Sequence, residues 1–196
     1  MKIRITPGAM LLLCVMAFSG SSLFLATLLA AAFHECGHLL AARLLGIRMR
    51  SLELDIPGAR LFPATPLPSY RAEAILAAAG PAASLLLALL TLPHPCAFAL
   101  SVRTATLSLA LFNLLPIEGF DGGRVLHSLL APVLGEEHAA KALCVTSYLS
   151  LLLLFALSAC LLLRYGENLA LAVLAASLFA RLFLTQELPV RSGKQK

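Results

Sequence analysis

The chain has 196 residues, of which 60% are hydrophobic and only 13% are charged. A soluble globular domain carries about 25% charged residues, so this composition and a mean hydropathy of +0.90 indicate a polytopic membrane protein and leave no length for a large soluble domain. The net charge is +5, but the basic residues cluster at the ends of apolar segments, as the positive-inside rule predicts. We therefore expect contact with the lipid bilayer and no nucleic-acid partner.

The apolar segments predict an all-α polytopic fold of about six transmembrane helices, with a short β-hairpin between the second and the third. The expected spans cover residues 9–18, 23–45, 73–92, 96–115, 143–163 and 169–184. We expect one membrane-embedded domain over residues 1–196, with its core at 7–134 and a basic tail at 189–196. The hairpin is predicted because residues 51–56 alternate between apolar and polar side chains, which is typical of a half-buried strand. Residues 59–62 would form its second strand.

Several helix breaks are also predicted. The dipeptide Gly80-Pro81 lies within the third span, where the missing N–H of proline predicts a kink or close packing. Residues 116–123 contain one proline and three glycines, so this segment should not form a regular helix. A helical pattern resumes over residues 125–134, and the charged residues between 136 and 141 predict a solvated loop.

The basic residues also predict the orientation of the chain. Lys2 and Arg4 place the N-terminus inside. The loop between the second and third spans is rich in arginine: Arg43, Arg48, Arg50, Arg60 and Arg71. This loop and the basic tail are therefore also expected inside, which gives a multi-pass cell-membrane protein with both termini in the cytoplasm.

The sequence His34-Glu35-Cys36-Gly37-His38 is an HExxH motif. It lies in an apolar run from residue 9 to residue 45 whose only charged residues are Glu35 and Arg43. Ionisable groups in a bilayer core are costly, so they are candidates for function. Each helical residue advances about 100°, which places His34 and His38 on one face and Glu35 beside them, while Cys36 points away. The motif therefore predicts a metal site with nitrogen ligands.

A catalytic zinc ion usually takes three protein ligands and keeps one position open. The candidates for the third ligand are Asp121, Glu118, His127, His138, Asp55 and His94. We favour Asp121 because it lies in the predicted break, and irregular backbone at membrane depth is tolerated where it lines a cavity. His34 precedes Gly46 by 12 residues, or about 18 Å of helix, so the site should open to the cytoplasm from below the membrane surface.

These residues indicate metal-assisted peptide hydrolysis. Zinc would activate water and polarise the substrate carbonyl, and Glu35 would act as the general base. Two alternatives stay open: a non-catalytic membrane protein that binds or transports metal with the same ligands, and a scaffold that binds membrane regulators without cutting them. Glu35 distinguishes the protease from the transporter, because a transporter needs no base at this position.

Residues 112–124 resemble the NxxPxxxxDG signature of site-2 proteases, and His34–His38 resemble the HExxH motif of the same family. Residues 80–84 are similar to a third family element, GPxxN, with Ser84 in place of its asparagine. The resemblance covers roughly residues 7–134.

This resemblance implies an intramembrane zinc metalloprotease that holds one zinc ion through His34, His38 and Asp121, with Glu35 as the base. It also implies that Asn113 holds the substrate or the developing oxyanion, although a helix–helix hydrogen bond is an alternative role for this amide. The substrates would be membrane-anchored regulatory proteins, cut in regulated intramembrane proteolysis, and a regulatory membrane partner is left open.

Within the family, the compact build is similar to the sporulation branch, which releases a sigma factor from a membrane-bound precursor. Those relatives often carry a C-terminal nucleotide-binding module, and we expect no such module here. The predicted strand at residues 51–56 would either pair, as an edge strand, with an extended substrate or form an ordinary interfacial hairpin.

Overall fold

The computed structural model describes residues 2–5, 22–55 and 58–165. In chain order, its elements are β1 (Lys2–Ile5), α1 (Ser22–Leu44), β2 (Met49–Asp55), β3 (Gly58–Pro63), α2 (Tyr70–Leu90), α3 (Ala97–Asn113), α4 (Asp121–Leu134) and α5 (Glu136–Tyr165). The predicted spans at residues 9–18 and 169–184 and the basic tail lie outside the described residues.

Three of the described helices, α1, α2 and α5, are long and apolar enough to cross a membrane. Helix α3 is also apolar but has only 17 residues, which is about 26 Å of helix against a hydrocarbon core of about 30 Å. A mostly helical membrane protein is thus confirmed. The count of six spans stays a prediction.

Small and polar side chains fill the interior of the helix bundle. The buried residues of α1 are Ala26, Ala30, His34, His38, Ala41 and Ala42. Many leucines point outward instead, and on α5 Leu149, Leu152 and Leu153 are 60%, 66% and 69% exposed. This distribution is expected in lipid, where burying leucine brings no gain and small residues let helix backbones approach. At Gly37 of α1, an added Cβ would lie 2.5 Å from the carbonyl oxygen of Ala79 on α2.

The three strands form one sheet in the order β1-β2-β3. Strand β2 pairs in parallel with β1, from Lys2 opposite Ser51 to Ile5 opposite Leu54, and antiparallel with β3. The expectation that the strand at residues 51–56 is an edge strand is therefore wrong, because β2 has a neighbour on each side. Strand β1 was not predicted, since its partner lies far along the chain.

Residues 114–120 form the break between α3 and α4. The predicted break extended to residue 123, which is wrong at its end because Asp121, Gly122 and Gly123 form the first turn of α4. A Cβ at Gly122 would clash with the carbonyl of Leu114, and one at Gly123 would clash with the carbonyl of Ile117. The two glycines thus allow α4 to begin directly against the break.

The solvated loop predicted at residues 136–141 is also wrong, because these residues form the first turns of α5. Only Gly135, with a φ of 81°, separates α4 from α5. Lys141 pairs with Glu137 one turn earlier at 2.7 Å, and acidic residues in a first turn are favourable beside the positive end of the helix dipole. The charges therefore support a helix start at the surface.

Helix α5 holds the break in place. Ile117 is buried against Leu151 and Leu154 of α5. The backbone N–H of Glu118 donates to the hydroxyl of Ser147 at 2.8 Å. A backbone donor that the irregular segment would otherwise leave unpaired is thus satisfied by α5, and this fixes the residues that lead into Asp121.

Candidate metal centre

The two motif histidines lie on the buried face of α1, close to its middle. His34 is 3% and His38 is 5% exposed. His34 follows the first residue of α1 (Ser22–Leu44) by about 18 Å and precedes the last by about 15 Å, at 1.5 Å per residue. The two Nε2 atoms are 3.3 Å apart, so the imidazoles converge deep within the span.

Asp121 reaches this pair from the first turn of α4. Its Oδ2 atom lies 3.1 Å from His34 Nε2 and 3.2 Å from His38 Nε2, and the residue is only 8% exposed. Nitrogen and oxygen ligands at about 2.0–2.1 Å from a tetrahedral zinc ion are about 3.3–3.4 Å from each other. The three atoms therefore form a triangle of nearly the size of one face of a zinc tetrahedron, and this donor set fits zinc.

Helix α2 positions the far side of each imidazole. His34 Nδ1 is 2.9 Å from the hydroxyl oxygen of Ser84, and His38 Nδ1 is 2.8 Å from the carbonyl oxygen of Leu76. A carbonyl only accepts, so His38 donates through Nδ1 and its Nε2 lone pair is available to a metal. Such outer partners fix the ring orientation and tautomer of metal-binding histidines.

Gly80 makes room for the converging atoms. A Cβ at this position would lie 2.7 Å from His34 Nε2 and closer still to His38 Nε2. Gly80 is one turn from both Leu76 and Ser84, so α2 supplies the two outer partners and the space between them. The close packing predicted at Gly80-Pro81 is observed here, and glycine is the residue that permits it.

Glu35 lies beside the histidines without completing the triangle. One carboxylate oxygen of Glu35 lies within 4.8 Å of a ring nitrogen of each histidine, and the contacts of 3.1 and 3.2 Å with the two Nε2 atoms are made by Asp121. Its Oε2 atom is buried and has no hydrogen-bond partner among the described residues. One carboxylate oxygen of Glu35, beside the histidines, is thus available for a different role. Cys36 is exposed, on the other side of the helix.

The other candidates for the third ligand do not meet the histidines. Three of them are exposed: His94, Glu118 and His138. His127 contacts Glu136, with 3.4 Å between Nε2 and Oε1. Of Asp55 only the backbone is described. Among the side chains that the structure describes, Asp121 is the candidate that contacts both imidazoles.

Asn113 ends α3 just before the break. Its Nδ2 atom donates to the carbonyl of Leu109, one turn earlier in the same helix, at 3.0 Å. This is neither the substrate contact implied by the resemblance nor a bond between helices. A substrate-binding role for Asn113 stays a prediction.

Two hydrogen-bond contacts at the site are not predicted by the motifs: that of His38 with the carbonyl of Leu76 and that of His34 with the hydroxyl of Ser84, a residue that the motifs mark only by its position. The available signal was spacing, because residues 76, 80 and 84 lie on one face of a helix. Periodicity alone does not say which α2 residue faces which histidine.

Arg124, by contrast, is only loosely associated with the site. It lies 4.0 Å from Asp121 and 3.7 Å from Glu73, which is beyond hydrogen-bond distance.

Comparison with known proteins gives a partial family match and a similar fold. Residues 92–157 match the sequence model of Peptidase family M50, a span that contains Asn113 and Asp121 but not the HExxH motif. No curated protein matches the chain. Among solved structures, the fold is similar to a site-2 protease from Methanocaldococcus jannaschii, with a TM-score of 0.69, 19% identity, and coverage of 99% of this chain and 94% of that chain. The chain thus carries a Peptidase family M50 match from α3 into α5, within the fold of a site-2 protease.

Proposed function

We propose that this protein is an intramembrane zinc metalloprotease that hydrolyses peptide bonds of membrane-anchored proteins. The observation that carries the proposal is the buried triangle of His34, His38 and Asp121, with edges of 3.1–3.3 Å, near the middle of an apolar helix. Peptidases of family M50 are zinc-dependent metalloproteases, and a match to that family covers the segment that supplies Asp121.

The three residues of the triangle would hold one zinc ion, which when bound polarises the scissile carbonyl and activates water for attack. Glu35 accepts a proton from the attacking water and delivers it to the amine nitrogen as the peptide C–N bond breaks. The unpartnered, buried Oε2 of Glu35 supports this role, because a buried acceptor without a partner is costly unless a task requires it.

Asn113 is proposed to hold the substrate carbonyl or the developing oxyanion. Its amide nitrogen already donates one N–H to the carbonyl of Leu109. An amide nitrogen carries two hydrogens, so one donor remains for a substrate without breaking that bond.

The depth of the site favours substrates that are themselves embedded in the membrane. The proposed orientation places both termini and the opening of the site in the cytoplasm. It is supported by exposed arginines between the last turn of α1 and the first turn of α2: Arg43, Arg48, Arg50 and Arg71. The sporulation sigma factor implied by the resemblance has no support in the fold or the comparisons, so the proposed substrate is the broader class of membrane-anchored regulatory proteins.

The test is the Glu35→Gln variant, assayed on a panel of membrane-tethered sigma and anti-sigma factors. We expect it to retain one zinc ion per chain, measured by elemental analysis, while cleavage falls by about 100- to 10,000-fold. Cys36→Ser, a change at the neighbouring exposed residue, should keep both properties, and Asp121→Ala should lose zinc.

Cleavage by Glu35→Gln at the wild-type rate would refute the mechanism. A wild-type protein that binds zinc and cuts no member of the panel would favour the alternative of a metal-binding or transport protein. Unchanged zinc content in Asp121→Ala would refute the proposed ligand set.

A further inference from the structure

Ser84 is a buried polar residue whose hydroxyl contacts a histidine of the candidate metal centre. It is 0% exposed, and its hydroxyl oxygen lies 2.9 Å from His34 Nδ1. We infer that Ser84 is a positioning residue, which holds the His34 ring and its tautomer in the state that binds metal. This inference rests on the zinc site of the proposed function.

The protonation pattern of the His34 imidazole explains why it needs the Ser84 hydroxyl. A neutral histidine donates through one ring nitrogen and accepts through the other. Binding through His34 Nε2 requires that Nδ1 carries the hydrogen, and this N–H then needs an acceptor. Among the described residues, Ser84 is the acceptor within reach. Without it, the buried Nδ1–H would be unpaired, and the tautomer protonated on Nε2, which cannot bind metal through that nitrogen, would gain population.

Helix geometry explains why one outer partner is a carbonyl and the other a side chain. Carbonyl groups point toward the C-terminal end of a helix, whereas side chains tilt toward the N-terminal end. Leu76 precedes Gly80 by one turn, so its carbonyl points toward the site and accepts from His38. Ser84 follows Gly80 by one turn, so its carbonyl points away and only its side chain can turn back toward His34. A hydroxyl at position 84 therefore lets α2 provide a hydrogen-bond acceptor for His34.

The test measures zinc affinity by competition with a chelator. For Ser84→Ala we expect a loss of about 10- to 100-fold, the range found for outer partners of metal ligands. Ser84→Thr keeps the hydroxyl and should stay within a few fold of the wild type. Ser158→Ala is the matched control, because Ser158 is also buried, at 1% exposed, and its hydroxyl has no hydrogen-bond partner within the described part of the chain. We expect its zinc affinity to be unchanged.

A packing role alone would lower the thermal stability of Ser84→Ala and leave its zinc affinity as in the wild type, and that result would overturn the inference. A Ser84→Thr variant that folds but loses as much affinity as Ser84→Ala would also overturn it. If Ser84→Ala does not fold, nitrogen-15 NMR of the wild-type zinc form decides. The inference requires His34 to be protonated on Nδ1 and to bind through Nε2, and binding through Nδ1 would exclude it.

Failure of the inference and failure of the proposed function are distinct. A wild-type protein that binds zinc, together with unchanged affinity in Ser84→Ala, would overturn only the role of Ser84. A wild-type protein that binds no zinc would overturn the metal centre and the role of Ser84 together.

Discussion

Replacement of Gly80 by alanine should block the metal centre while leaving the helix intact. The new Cβ would lie 2.7 Å from His34 Nε2, whereas ordinary contact begins at 3.4 Å, so this gap must open by about 0.7 Å. Metal–ligand distances tolerate only about ±0.2 Å. We therefore expect zinc affinity to fall by at least about 100-fold, more than the loss of an outer partner causes, which corresponds to about 2.7 kcal/mol.

The assay is zinc affinity and stoichiometry of the purified protein in detergent, measured alongside its thermal unfolding. Alanine is favoured over glycine inside a helix by roughly 0.5–1 kcal/mol, so helix propensity gives no reason for unfolding. Gly46→Ala is the control, because nothing lies within 4 Å of its added Cβ, whereas its positive φ of 69° makes alanine strained at this position. It should lower the unfolding temperature yet keep one zinc ion per folded chain. A Gly80→Ala variant with wild-type zinc affinity would refute the placement of the metal.

Two further predictions concern residues around the site. Ser147→Ala removes the acceptor of the Glu118 N–H, which should lower the free energy of unfolding by about 1–3 kcal/mol. It should also weaken zinc binding, because the break leads into Asp121. An unchanged unfolding midpoint in detergent would contradict this. Arg124→Ala should change zinc affinity by less than about fivefold, because a partly exposed ion pair is worth at most about 1 kcal/mol and the guanidinium is 4.0 Å from Asp121. A loss above tenfold in chelator competition would show a stronger coupling.

The arrangement of the histidine pair was predictable because it depends only on the repeat of a single helix. His34 and His38 are one turn apart in any α-helix, and the structure places their Nε2 atoms 3.3 Å from each other. The approach of Asp121 was favoured by the irregular, glycine-rich segment before it. Its place as the first residue of α4 was not foreseen, because the sequence does not show that the two following glycines lie in a helical turn against carbonyl groups.

The parts that local patterns missed depend on contacts between distant segments. Strand β1 has only 4 residues, and its pairing with β2 cannot be inferred from its own alternation. The charged residues at the start of α5 predict a solvated loop, because charged side chains favour contact with water. In the structure these residues are helical, and Glu137 and Lys141 pair one turn apart. The contact between Ser84 and His34 depends on how α1 and α2 are aligned. The sequence of neither helix specifies this alignment alone.

The attachment of residues 114–120 to α5 would limit how a substrate helix could reach the proposed zinc ligands. Ser147 holds this segment by a hydrogen bond, and Ile117 is set among the leucines of α5. If α5 moved outward to open a lateral gate, residues 114–120 would move with it. The carboxylate of Asp121 would then move away from the imidazoles. Under the proposed function, such a gate would separate the metal ligands each time a substrate entered, so we expect substrates to enter on another side of the bundle.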